Sequence, residues 1–174
     1  GNRIAEAYAM EEKKACAAAA VAVKRLIDTG TCPNLRFFAK GVYYVTKQTV
    51  FGETGINKDK LIELKYLKDG TGYETGAAVM HKLGLTTLMP AERTFVSNSA
   101  QHRAKRDDAL GIVIRAPRIP VNKENRFYLQ FLDLLNMYDD VPVDAEDPYQ
   151  LLGRFVQARG LDYGTLLHLA DTHY

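Results

Sequence analysis

The residues of this chain best suited to chemistry are cations, and the chemistry they suggest is the seating of phosphates. The stretch "VKRLIDTGTCPNLRFFAKGVYYVTK" (Val23 to Lys47) runs a helix end into two short aromatic segments carrying basic residues. Lys13 and Lys14 stand near the start of the same helix, where cations could neutralise phosphates and make affinity depend on salt. Arg25 lies too far along that helix to read bases and suits backbone contact. Arg36, Lys40 and Lys47 fall on or beside the aromatic segments, and Tyr43 or Tyr44 offers a hydroxyl to a phosphate oxygen. The plainer account is a solvated cationic face with the tyrosines packed on the helix. No Asn, Gln or Arg opens the helix in an obvious bidentate position, so no base specificity is assigned.

A second basic cluster, "QHRAKRDD", holds His102, Arg103, Lys105 and Arg106. It could touch nucleic acid, dock an acidic surface, or be a solvated loop, and Asp107 and Asp108 cancel part of its field. Enzyme chemistry finds less. Thr86 and Thr87 in "GLTTLMP" carry hydroxyls, but nothing nearby supplies the base and oxyanion site a nucleophile needs. Their expected role is structural, with Gly84 stopping a helix, Leu85 sealing it and Pro90 turning the chain. The histidines include no HExxH, and His168, Asp171 and His173 come nearest to a metal ligand set by spacing. A GxxxxGK[ST] phosphate loop is also missing from the sequence. No catalytic residue, metal or cofactor is expected, and the chain does not read as an enzyme.

The elements that must carry these residues follow from pattern. With 174 residues, 47% hydrophobic and 25% charged, the chain reads as one compact domain or two small ones. Its net charge of +2 implies no partner, but the distribution is uneven. Residues 1–54 carry eight Lys and Arg against five Asp and Glu, residues 55–122 eleven against seven, and residues 123–174 four against nine. The alanine run "ACAAAAVAV" lies between charged flanks and lacks the layout of a leader, and no apolar run is long enough to span a membrane. Cys16 and Cys32 form no CxxC, so both read as free thiols of a reducing compartment, with Cys16 buried in the alanine helix.

A short helix is expected over "NRIAEAYAM", then a longer one from Glu11 to Thr29 that Gly30 ends. Cys16, Ala20, Val23 and Ile27 should face its core, while Lys14, Ala18, Val21 and Arg25 form a stripe that a backbone could approach. "LRFF" and "VYYV", broken by "AKG", read as a hairpin with a three-residue turn. After a linker, a helix should run from Asn57 to Leu67, and "DGTGYETG" reads as a turn cluster whose Thr75 caps the helix "GAAVMHKL". "RTFVS" and "GIVIRA" read as two strands joined by the basic loop. Three helices close the chain. The first carries Phe127, Phe131, Leu134 and Tyr138 on one face, and the second starts at Asp147 and Pro148 and stops at Gly160.

Three motifs carry a family resemblance. "VKRLIDTG…RFFAKGVYYVTK" resembles the end of a winged-helix domain in AbiE-type abortive-infection antitoxins and their close relatives of uncharacterised function. "GYETGAAVMHKLGLTTLMP" is similar to the family's entry into its second domain, with Leu88 standing where the pattern has Gln. "RIPVNKENRFYLQFLDLL" is similar to its strand-to-helix step. Together they span most of the chain from Val21 to Leu135, and the central motif is the most specific. The resemblance implies an antitoxin of a type IV toxin–antitoxin system, paired with a nucleotidyltransferase-like toxin. It implies a cytoplasmic protein that represses its own operon through the winged helix. About 30 residues precede the hairpin, where a full winged helix has a further helix, so the expectation allows for a truncated winged helix missing its first helix.

The expectation is therefore an α+β, mostly helical chain. An N-terminal winged helix-turn-helix over residues 1–50 precedes a C-terminal helix–β-hairpin–helix domain over residues 51–174. The expected partners are double-stranded DNA of its own operator and the cognate toxin, with no membrane. The alternative is a protein-interaction module that neutralises the toxin directly without binding DNA.

Overall fold

A computed structural model describes residues 11–101 and 103–174, so the expected opening helix "NRIAEAYAM" and His102 lie outside the described residues. The chain divides into two compact units, Gly1–Asn57 and Lys58–Tyr174. The described residues form an α+β chain with six α-helices and small antiparallel and mixed sheets.

In the first unit, α1 spans Glu12–Asp28. Its alanines favour helix strongly, but they are equal in hydropathy and do not say which face turns inward. The structure settles the phase on Ala15, Ala19, Val23 and Ile27, spaced four apart, with Ala15 fully buried. Cys16 and Ala20 are exposed, which corrects the expected core stripe and the buried placing of Cys16. Val23 and Ile27 are the only branched members of that stripe, and stepping back by four from them selects 19 and 15 rather than 20 and 16. Gly30 follows the helix at φ 68°, as expected of its stop.

Strands β1 (Leu35–Ala39) and β2 (Val42–Val45) pair as an antiparallel hairpin. Ala39 pairs with Val42, so the connection is two residues, Lys40 and Gly41, and not three. Gly41 sits at φ 77°, the left-handed conformation that such a tight turn needs. The segment read as a linker holds a smaller hairpin, β3 (Gln48–Thr49) and β4 (Gly52–Glu53), with Val50 and Phe51 exposed at its tip.

In the second unit the expected helix to Leu67 breaks up. It is α-helical as α2 (Lys58–Ile62), widens to a π-turn over Glu63–Leu67, and ends in a 3-10 turn over Lys68–Gly70. The supposed turn cluster then contributes β5 (Gly72–Thr75). A Cβ on Gly72 would lie 2.5 Å from the Val96 carbonyl oxygen and 2.8 Å from that of Tyr66. Only glycine lets strand and π-turn backbones come this close. Thr75 is the last residue of the strand and Gly76 takes the cap position of α3 (Ala77–Lys82), so the Thr75 cap is corrected.

The expected hairpin of "RTFVS" and "GIVIRA" is also corrected. β6 (Arg93–Ser97) and β8 (Ile112–Arg115) lie side by side but parallel, so no tight turn can join them. The chain crosses to the outer edge, forms β7 (Lys105–Asp107) inside the supposed loop, and returns antiparallel as β8. The sheet order is β5-β6-β8-β7. Helices α4 (Arg126–Asn136), α5 (Pro148–Arg159) and α6 (Tyr163–His173) follow. Phe131 and Leu134 of the expected α4 face are buried, Phe127 and Tyr138 half-buried, and Phe131 stacks on Phe155 of α5 at 5.8 Å. Asp147 accepts from the Gln150 amide with Pro148 in the first turn, and Gly160 closes α5, as expected. Gly84 and fully buried Leu85 terminate α3 as expected.

Candidate nucleic-acid interface

Helix α1 and the β1–β2 hairpin hold the predicted contact residues of the first unit. Lys14, Ala18, Val21 and Arg25 are all exposed along α1. Eleven residues make about three helical turns, so Lys14 and Arg25 share a face roughly 16 Å apart. Lys13 is exposed beside Lys14, and Lys14 Nζ lies 3.5 Å from Glu11 Oε2. Both partners there are mostly exposed, so water screens the pair and leaves the lysine available.

Lys40 occupies the hairpin connection and Lys47 follows β2, both exposed. Lys13, Arg25, Lys40 and Lys47 have no carboxylate partner among the described residues. Arg36 differs. Its guanidinium donates to both carboxylate oxygens of Glu53 at 2.7 and 3.0 Å and to the Pro33 carbonyl at 2.6 Å. It ties β1 to the small β3–β4 hairpin, so its fork is engaged within the protein. Tyr43 stands across the strand pair from Phe37, ring edge to ring face at 5.6 Å. Its ring is half-buried in that contact, and its hydroxyl has no partner among the described residues. The structure thus leaves Lys13, Lys14, Arg25, Lys40 and Lys47 exposed on one unit, with Tyr43 half-buried, and ties Arg36 to Glu53.

The second basic cluster belongs to the other unit. Arg103 is exposed, and Lys105 and Arg106 lie on β7. Arg106 pairs with Glu92 and with Asp108 at 3.0 Å. The π-turn aims two further donors at the end of the same strand: Lys65 Nζ and the Tyr66 hydroxyl each reach Asp107 Oδ2 at 2.6 Å. Burial works to raise the Asp107 carboxyl, but hydrogen bonds from Lys65 and Tyr66 outweigh it and hold the group below the usual carboxylate range.

Three further anchors carry no sequence expectation. Asp133 on α4 accepts from the hydroxyls of Tyr73 at 3.0 Å, Thr75 at 3.3 Å and Tyr174 at 2.7 Å. Burial, followed by the charge of Asp133, pushes the Tyr73 hydroxyl far up, so it stays a donor. Asp144 accepts from the Thr87 amide at 3.0 Å and from its hydroxyl at 2.5 Å. Asp162 caps α6 through the Thr165 amide. The signals were present but faint. Tyr73 and Thr75 are two apart on a strand, and Asp133 interrupts an apolar helix face. Thr86 accepts from the Leu88 amide and is buried, so both threonines of "GLTTLMP" are structural.

Among the described residues no group of three His, Cys, Asp or Glu side chains is placed to hold a metal ion, and no helix is long and apolar enough to cross a membrane. Compared with family models, with curated proteins and with solved structures, the chain matches none.

Proposed function

We propose that this chain is a DNA-binding antitoxin that represses its own operon in a type IV toxin–antitoxin system. The supporting observation is the set of exposed cations on α1 and the β1–β2 hairpin that lack carboxylate partners among the described residues. Helix and hairpin act as the recognition helix and wing of a winged helix-turn-helix. Lys13 and Lys14 enter at the amino end of α1, Arg25 rests on a phosphate further along, and Lys40 and Lys47 grip the backbone from the wing. Occupying the operator then blocks transcription. The motifs that resemble those of AbiE-type antitoxins support the same reading, and the paired toxin is nucleotidyltransferase-like.

The test is charge reversal. In a reporter carrying the chain's own upstream DNA, Lys13→Glu with Lys14→Glu should relieve repression, while toxin neutralisation in co-expression should persist. Repression unchanged by the double variant would remove α1 from the interface. Loss of neutralisation with repression intact would favour a protein-interaction module instead.

A further inference from the structure

β7 is an outer strand of its sheet, with β8 on one side and, among the described residues, no strand on the other. Such an edge presents backbone N–H and C=O groups to any extended chain that can match them. Beside it opens a crevice of about 980 Å³, lined by Lys65 and Tyr66 of the π-turn, Ser99 and Arg103 of the crossing segment, and Lys105 and Ile114 of the strands. Ile114 is buried and gives it an apolar floor, while Arg103 and Lys105 are exposed and have no carboxylate partner among the described residues. Lys65 is already engaged, paired with Asp107 and lying 4.9 Å over the Tyr66 ring.

We propose that this edge and crevice bind an extended acidic segment of a partner protein, which adds as a strand alongside β7. Main-chain pairing with β7 supplies affinity, and side chains alternating in and out supply selectivity, as in other strand additions. Carboxylates of the segment meet Arg103 and Lys105, and an apolar side chain between them covers Ile114. The charge pattern favours a peptide over nucleic acid. Among the described residues of the crevice, cations without a carboxylate partner are Arg103 and Lys105, because Lys65 is held by Asp107 and Arg106 by Glu92 and Asp108. A nucleic acid strand carries a charge at every nucleotide and would run onto those carboxylates. A peptide can be acidic at one end of the strand and neutral at the other. This surface belongs to the second unit and α1 and the β1–β2 hairpin to the first, so the inference does not depend on DNA binding by the first unit.

The experiment uses the full chain and a fluorescein-labelled alternating Glu–Val peptide of roughly eight residues, an ordinary strand length. A Lys–Val peptide and a single-stranded oligonucleotide of equal charge serve as comparators. The Glu–Val peptide should bind, and the Lys–Val peptide should not. Affinity should fall about tenfold or more in Arg103→Glu with Lys105→Glu, since close interfacial charge pairs carry energies of that order. Arg103→Gln with Lys105→Gln should show a smaller loss in the same direction. Amide hydrogen exchange at Lys105–Asp107 should slow on binding. No binding, binding undiminished in both variants, unchanged exchange on β7, or displacement by the oligonucleotide in preference would each overturn the proposal.

Discussion

Asp133 accepts three hydroxyl hydrogen bonds that join α4 to β5 and to the end of α6. Replacing it with Ala leaves Tyr73, which is only 5% exposed, without its acceptor. Leaving buried donors unsatisfied costs about 1–3 kcal/mol each, and the losses overlap, so Asp133→Ala should destabilise the second unit by roughly 2–3 kcal/mol. Urea unfolding reads this directly, and DNA affinity should not change. Gly72→Ala should cost a similar amount, about 1–3 kcal/mol, because both close neighbours of the new Cβ are backbone oxygens that cannot rotate away. A midpoint equal to that of the parent protein would show that β5 and the π-turn can part without cost. Arg36 and Lys40 separate two roles that their shared charge conceals. Lys40→Ala should lower the salt slope of DNA binding by about 1, as the loss of one phosphate contact does. Arg36→Ala should leave the slope unchanged. Its exposed pairing with Glu53 contributes at most about 1 kcal/mol to the first unit.

At the scale of elements, several carboxylates hold connections together and are kept ionised by their donors. The hydroxyl and amide of Thr87 depress the Asp144 carboxyl, and the amide and hydroxyl of Thr165 depress Asp162. Asp107 is depressed by Lys65 and Tyr66 against the effect of its burial. Each therefore has a lower pKa folded than unfolded. Their stabilisation is present above the ordinary carboxylate value of about 4 and is lost as pH falls through the folded values. Urea midpoints should be flat near neutrality and fall below about pH 4, with the fall shallower in Asp107→Asn. A midpoint that rises on acidification would contradict the sign. The helices with punctuation were legible in the sequence: Asp147-Pro148 and Gly160 bound α5, and Gly30 and Gly84 end α1 and α3. β5 and β7 were not. The glycines in and beside β5 (Gly70, Gly72 and Gly76) imitate a turn, although Gly72 is there for close approach. β7 is three polar residues, and its strand character comes from pairing with β8 and from no local preference. The parallel pairing of β6 with β8 is likewise a tertiary fact, since two adjacent apolar runs suggest a hairpin unless the segment between them is recognised as a strand.

For the whole molecule, the division into two units places the two basic clusters that the sequence shows in different units. The cations of α1 and the β1–β2 hairpin were legible as a set, because helix spacing and a hairpin turn place them. That Arg36 is engaged by Glu53 was not, since the two are 17 residues apart and meet only when β4 folds beside β1. The most direct test of DNA binding is fluorescence anisotropy of the full chain with its own upstream duplex against a scrambled duplex, across a salt series. The proposed operator binding predicts a preference for the upstream duplex, and the five cations Lys13, Lys14, Arg25, Lys40 and Lys47 predict that log affinity falls against log salt with a slope of about −3 to −4.5 per chain. Equal affinity for both duplexes, or a slope near zero, would contradict the account and leave helix and hairpin as scaffold.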